Sequence, residues 1–288
     1  MTKKDLKCSP KQNSDILEFT CYTSNNLNKL KNKWNLKHKD DIIESNKPKD
    51  IWNFLSNRFK NVCKQESCWL RQEFIKSNVG KDIMNNSFAP QQPDEWIKKP
   101  RQWLDSNNIR VVMKQYEKAY NDFEFIGPSP IDYNSINEDN EYVWPELIKY
   151  SVVNKMKEGI KKTGIIFNLD KHNEPGSHWV SLYICYKNNT IYYFDSNSND
   201  SIEDIPSEVL KFSNKIQEEI KNKYDSIFEF KFNKQEHQKQ NTECGMYCLY
   251  FIIQMLTEKK NWDYFQKNKI SDDEIFKYRS IYFNKNKL

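Results

Sequence analysis

Glu243-Cys244-Gly245-Met246-Tyr247-Cys248 opens a run, continued by Leu249-Tyr250-Phe251-Ile252-Ile253-Gln254-Met255, that contains no proline and a single glycine. Apolar nearly all round, it predicts a core-buried helix with Cys244 in its first turn. A thiol there meets unpaired N–H groups and the positive end of the helix dipole. Both favour thiolate, drawing a cysteine from its usual pKa of about 8.5 toward neutrality. The amide-rich stretch from Gln238 to Thr242 brings hydrogen-bonding side chains up to the same place. Many buried cysteines are inert filler, so a reactive reading of Cys244 needs a base and an acid elsewhere in the chain.

Both occur upstream. Gly176-Ser177-His178-Trp179-Val180-Ser181-Leu182-Tyr183-Ile184-Cys185-Tyr186 is β-branched and aromatic, Lys187-Asn188-Asn189-Thr190 is a turn signal, and Ile191-Tyr192-Tyr193-Phe194-Asp195 reads as a returning strand. His178 then stands near the start of one strand and Asp195 near the end of its antiparallel partner, at one edge of a hairpin. An imidazole oriented by a carboxylate is the apparatus that takes a proton from a thiol and later returns it. Cys248, one turn beyond Cys244, faces inward as a structural thiol. His172 lies in an exposed polar loop, His237 in the polar loop that lines the expected cleft, and His38 is remote.

His178-Trp179, Tyr193-Phe194-Asp195-Ser196, Gln238 and Glu243-Cys244-Gly245-Met246, in the chain order His, Asp, Cys, resemble the SUMO-protease (ubiquitin-like-protein protease) clan of cysteine peptidases. Within the clan they are most similar to the viral branch of adenovirus, poxvirus and asfarvirus-type maturation proteases. Gly164-Ile165-Ile166-Phe167-Asn168-Leu169 ahead of the histidine adds to that likeness, which spans roughly Phe125 to Leu256.

The resemblance implies an α+β fold, a papain-like/SUMO-protease-like catalytic core with a central mixed sheet packed between helices. It implies Cys244 as nucleophile, His178 as base, Asp195 as orienting acid with Asn197 as its rival, and Gln238 as oxyanion donor with Gln240 close enough to be confused with it. It also implies that Trp179 covers the substrate beside the scissile bond and restricts the acyl side to Gly or Ala. The expected activity is cleavage of viral core or capsid polyprotein precursors at Gly-Gly-X-like sites during virion maturation. The alternatives are removal of SUMO or ubiquitin from host proteins and, less favoured, acyl transfer to Ser, Thr or Lys. Precursors are the expected partners, ubiquitin-like proteins the alternative ones, and viral assembly sites in the host cytoplasm and the virion the expected location.

Composition bounds these readings. In 288 residues, 14% aromatics supply a core despite 30% charged side chains. The net charge of +5, from 45 basic and 40 acidic residues, describes a mixed solvated surface and argues against a dedicated nucleic-acid function. No apolar run approaches the roughly 18 residues of a membrane span, and Met1-Thr2-Lys3-Lys4-Asp5-Leu6-Lys7 lacks a signal-peptide core, so a soluble intracellular protein is expected. Seven scattered cysteines suggest reduced thiols rather than a disulfide framework. Cys63 and Cys68 have no partner pair at zinc spacing, so no metal and no cofactor is expected.

The elements that must position the site follow from periodicity. Residues 1 to about 30 read as loosely held. Leu27, Leu30 and Trp34, then Ile51, Leu55, Phe59 and Val62, then Cys68 to Ile75, give a helical region. It reads as a helical N-terminal arm region, residues 1–90, either recruiting substrate or anchoring the enzyme to an assembling particle, or else extending the packing of the catalytic core, and is set off by the proline-rich 87–93 from a catalytic domain of residues 91–288. Asp105-Ser106 caps a predicted helix reaching Tyr120. Phe123 and Phe125 make a short strand stopped by Gly127-Pro128-Ser129-Pro130, and Trp144 to Met156 reads as one helix. Gly164 to Leu169 is a central strand, Pro206 to Lys223 a helix on the sheet, and Phe228 to Phe232 an edge strand. Trp262, Tyr264, Phe265 and Tyr278 anchor a polar tail.

Overall fold

In the computed structural model, which describes residues 8–10 and 17–284, five strands form one mixed sheet in sequential order: β1 (Phe123–Pro130), β2 (Lys162–Asn168), β3 (Trp179–Cys185), β4 (Thr190–Phe194) and β5 (Glu229–Phe232). The two outer pairs, β1 with β2 and β4 with β5, are parallel; β2, β3 and β4 form an antiparallel meander. Alternation sorts the side chains. Ile165 and Phe167, Val180, Leu182 and Ile184, and Ile191 and Tyr193 join one core with α5 (Pro145–Lys149), α6 (Val152–Lys157) and α7 (Ser207–Tyr224). On the other face lies α8 (Cys244–Leu256), whose Phe251 stacks on Phe194 of β4 with ring centroids 4.7 Å apart. Gly164 of β2 makes that approach possible: a Cβ there would stand 3.0 Å from Ile252 Cγ2 and 3.1 Å from Phe123 Cζ.

Sequence expectations for α7, β5 and the meander hold to within a few residues. Asp105 caps α4 (Ser106–Ala119) in a capping box with Asn108, an arrangement worth about 1 kcal/mol. Two expectations fail. β1 is not stopped at Gly127-Pro128 but runs through to Pro130, with a register irregularity between Ile126 and Ser129 accommodating the proline. The single helix predicted over Trp144 to Met156 is two helices, broken where Ser151 caps the second by accepting the Asn154 N–H.

The chain divides into two compact units, residues 1–94 with 280–288, and residues 95–279. Whereas the sequence suggested residues 1–90 and 91–288, residues from Ser280 onward, beginning in the last turn of α10 (Asp272–Tyr282), group with the first unit. There the Asn284 N–H donates to the Pro90 carbonyl and the Asn284 carbonyl accepts from the Gln92 N–H. The first unit packs α1 (Ser24–Lys37), α2 (Pro48–Phe59) and α3 (Asn78–Ser87) around Leu27, Leu30, Trp34, Ile51, Leu55 and Trp69.

Part of the segment expected to be loose is firmly held: Cys21 and Tyr22 are fully buried, and buried Glu66 accepts from the Cys21 N–H and the Thr20 hydroxyl. Residues 1–7 and 11–16 of that segment lie outside the described residues. The expectation of all-reduced thiols is corrected as well. Disulfides join Cys8 to Cys21 and Cys63 to Cys68, leaving Cys185, Cys244 and Cys248 free. Cysteine count and scatter could not reveal pairs that the fold brings within bonding reach.

Candidate active site

The helix that carries the nucleophile candidate begins at Cys244 itself, whose side chain is only 2% exposed. Gly245 lets two other walls close on this turn. A Cβ at that position would meet Leu104 Cβ at 3.1 Å and Trp179 Cδ1 at 3.3 Å. Trp179 is anchored by its indole N–H, which donates to the Leu104 carbonyl at 3.1 Å. At 5% exposure the ring is a buried wall beside the nucleophile turn.

The β3–β4 hairpin brings His178 and Asp195, the candidate base and acid, to one edge. Ser181 pairs with Phe194, so His178 and Asp195 emerge at the same end of the pair. His178 Nε2 lies 2.7 Å from Asp195 Oδ1, and Cys244 stands close enough to bear on the charge of the ring. Burial alone would lower the imidazole pKa. The bonds and charges of Asp195 and Cys244 outweigh it and raise His178 from 6.5 to about 10. At neutral pH the imidazole therefore carries its proton beside the Cys244 sulfur.

Asp195 is clamped from behind. Its N–H donates to Asn233 Oδ1 at 2.8 Å, its carbonyl accepts from Asn233 Nδ2 at 2.7 Å, and its Oδ1 also accepts the Asn197 N–H at 2.8 Å. Asn197 thus serves Asp195 through its backbone while its side chain is exposed, so the carboxylate and not the rival amide faces His178. Asn233, fully buried, has no motif of its own; it escaped the sequence reading because its partners are backbone groups distant in sequence.

Gln238 is buried with its carboxamide held at both ends. Ser196 Oγ donates to Oε1 at 2.7 Å, and Nε2 donates to the Gln240 carbonyl at 2.5 Å. Gln240, its neighbour and rival, enters through its backbone; its side chain is exposed. Asp272 steadies the loop by accepting the N–H groups of Lys239 and Gln240, each at 3.0 Å.

Immediately before Cys244, Glu243 is fully buried as the residue preceding α8, yet its carboxylate does not cap the helix. It pairs instead with Arg279 Nε at 2.9 Å and Arg101 Nη1 at 3.5 Å. Arg279 also donates to the carbonyls of Gln102 and Thr242 and lies over the Trp96 ring, binding the 101–104 segment to the nucleophile turn. Neither arginine was singled out from the sequence. The available signal was the acid itself, because a carboxylate leading into an all-apolar helix must be paired. Trp103 was missed too: with Lys99, Pro100, Arg101, Thr242 and Phe276 it lines an open cavity of about 690 Å³ beside this turn.

Other candidates are set aside by their surroundings. His237 does not line a cleft. It is 1% exposed, stacks on Phe194, accepts the Ile270 N–H at Nδ1, and is lowered to about 4 by burial and Lys269, so it is a neutral packing residue. His172 Nδ1 binds Asp132 at 2.8 Å, and His38 stacks on Trp34. Burial pushes the Cys248 thiol well up, which keeps it protonated and inert. Cys63 and Cys68 bind each other, and among the described residues no cluster of His, Cys, Asp and Glu could hold a metal ion.

Thiol, imidazole and carboxylate in one row at the lip of a mixed sheet define a cysteine hydrolase. The sequence profile of the Ulp1 protease family, C-terminal catalytic domain, matches residues 155–287, a span containing His178, Asp195, Gln238 and Cys244. A thiol protease of Acanthamoeba polyphaga mimivirus is 33% identical over 231 residues, 79% of this chain and 72% of that protein. A cysteine protease of African swine fever virus is 23% identical over 264 residues, 85% of this chain and 92% of that one. The crystal structure of an African swine fever virus protease superposes with a TM-score of 0.67, at 19% identity, over 96% of this chain and 95% of that one. The chain belongs to the Ulp1 protease family and is a cysteine peptidase with its α+β fold.

Proposed function

We propose that this chain is an endopeptidase that cuts viral core or capsid precursors after small residues at Gly-Gly-X-like sites, working at assembly sites in the host cytoplasm and in the virion. The observation that carries the peptidase chemistry is the row Asp195, His178, Cys244, with the imidazole bonded to Asp195 and close enough to Cys244 to feel it. The viral relatives support the precursor substrate. The buried ring of Trp179, packed against the nucleophile turn, supports a narrow passage that excludes large side chains next to the scissile bond.

In this mechanism the Cys244 sulfur attacks the scissile carbonyl carbon, and the carbonyl π pair moves onto oxygen. Gln238 Nε2–H and the backbone N–H of Cys244 receive that oxyanion, each donor contributing about 3 kcal/mol. Collapse of the intermediate expels the amine as His178 gives it a proton, leaving an acyl-enzyme. Water then attacks the thioester, His178 takes its proton, and the carboxylic product departs as the sulfur regains its electron pair. Asp195 holds Nε2 throughout, so that Nδ1 is the nitrogen that exchanges protons.

The test is cleavage of a Gly-Gly-X peptide by the protein and by Cys244→Ala, alongside vinyl-sulfone probes built on SUMO and ubiquitin. Cleavage lost in the variant, with poor probe labelling, supports a precursor protease. Full activity in Cys244→Ala refutes the nucleophile, and rapid labelling by a SUMO or ubiquitin probe replaces the precursor by a ubiquitin-like conjugate as substrate.

A further inference from the structure

A carboxamide used as an oxyanion donor works only with nitrogen, not oxygen, toward the substrate, and the two ends are nearly identical in shape. Gln238 has two side-chain neighbours that settle its sense. One is the Gln240 carbonyl, which can only accept, so the carboxamide end 2.5 Å away must be the NH₂. The other end is therefore Oε1, and the Ser196 hydroxyl 2.7 Å from it must be donating. The NH₂ group carries two hydrogens. Gln240 takes one, and the second remains for the substrate oxygen.

Ser196 is 1% exposed and directly follows Asp195. Its carbonyl accepts the N–H groups of both His237 and Gln238 at 2.8 Å, so the backbone of the Gln238 loop is tied to the residue after the triad acid independently of the hydroxyl. Any displacement of Asp195 thus displaces the Gln238 anchor, and the hydroxyl adds only the rotational setting of the carboxamide. We infer that Ser196 is a positioning residue of the oxyanion site, whose hydroxyl keeps the Gln238 carboxamide turned with its nitrogen toward the developing negative charge. This rests on the peptidase reading given above and deepens it.

Without the hydroxyl, Oε1 loses its donor, the carboxamide keeps only its tether to the Gln240 carbonyl, and its tilt about the last bond is no longer fixed at both ends. The effect falls on the transition state, where the oxyanion exists, and not on substrate binding. The test is Ser196→Ala, Gln238→Ala and the double variant on a Gly-Gly-X peptide, with the rate of Cys244 alkylation by iodoacetamide measured across pH.

Since loss of a whole oxyanion donor costs about 10²–10³ in kcat, misdirection of one in Ser196→Ala is expected to lower kcat about tenfold with KM little changed. The same substitution is expected to have no further effect in the Gln238→Ala background, because the group it orients is gone. Alkylation needs no oxyanion site, so its rate and pH profile should match the parent protein, which also shows that the variant has folded. Wild-type kcat in Ser196→Ala, an undiminished loss in the Gln238→Ala background, or an altered alkylation profile would overturn the assignment. If the parent protein neither cleaves the peptide nor alkylates at Cys244, the peptidase reading itself falls, and this inference with it.

Discussion

One ring nitrogen of His178, Nε2, lies 2.7 Å from Oδ1 of Asp195, which leaves Nδ1 as the nitrogen that meets the sulfur of Cys244. Asp195 therefore bears on Cys244 only through the ring. Its influence is to be read in the titration of His178, which it helps raise to about 10 against the opposing effect of burial.

That shift predicts the alkaline limb of the pH profile. Catalysis requires imidazolium to protonate the leaving amine, so kcat/KM should fall as pH rises through about 10. Asp195→Asn removes a contribution that raises the pKa, so the limb should move to lower pH. An unmoved limb would show that Asp195 does not bear on the imidazole. The sign for stability follows from the same shift. A raised histidine stabilises the folded state fully below 6.5 and loses that contribution as pH climbs through about 10.

The two thiols of α8 should separate cleanly. Cys244→Ala is expected to lower turnover by more than about 10⁴-fold, to whatever binding and the oxyanion site alone provide. Cys248→Ala removes a buried sulfur that burial keeps protonated, so it should retain kcat and lose about 1–2 kcal/mol of stability in urea. Inactivation by Cys248→Ala without unfolding would reassign the nucleophile.

The glutamines should separate as well. Gln238→Ala should cost about 10²-fold in kcat. Gln240→Ala should stay within about twofold, because Gln240 contributes its backbone carbonyl and its side chain is exposed. Equal losses at both positions would show that the loop matters only as a whole.

What the sequence disclosed and what it withheld divide along a physical line. The hairpin, the edge strand and the buried helix of Cys244 depend on period and on local turn chemistry, which a linear reading contains. Hence His178 and Asp195 could be placed at one edge before any fold was known, whereas bringing Cys244 to them rested on the family resemblance. Asn233, Ser196, Asp272 and Arg279 act on backbone groups or buried side chains supplied by other elements, and no local pattern marks them. β1 was cut short because Gly127-Pro128 is a stop signal in isolation, whereas pairing to β2 on both sides carries the strand past it. His237 illustrates the reverse error: a polar neighbourhood in sequence suggested a cleft, but stacking on Phe194 places the ring in the core.

Disulfide pairing in the first unit is open to a thiol count. Unfolded without reductant, the protein should expose three titratable thiols, Cys185, Cys244 and Cys248, and seven after reduction. The Cys8–Cys21 link closes a loop with a sequence separation of 13. Replacing Cys8 by serine should therefore cost the first unit about 3 kcal/mol. Seven thiols before reduction would restore the all-reduced expectation.

The Glu243–Arg279 pair permits a prediction about what the ion pair is for. Both side chains are almost completely buried, at 0% and 4% exposure, and burial pushes the Glu243 carboxyl up despite the arginines that hold it down. Desolvation thus cancels much of the attraction, and the pair contributes little net stability. Removing one partner is another matter. Glu243→Gln leaves the Arg279 guanidinium buried without its counter-charge, and Arg279→Met leaves the carboxylate with only Arg101 at 3.5 Å, so each should cost about 3–5 kcal/mol in urea denaturation. The double variant Glu243→Leu/Arg279→Met should recover most of that loss. Activity should not recover with stability, because Arg279 also holds the Gln102 and Thr242 carbonyls that flank the nucleophile turn, at 2.7 and 3.3 Å. A double variant that is stable and fully active would reduce the pair to core filling, whereas one that is stable but slow identifies Arg279 as the pin that aims Cys244.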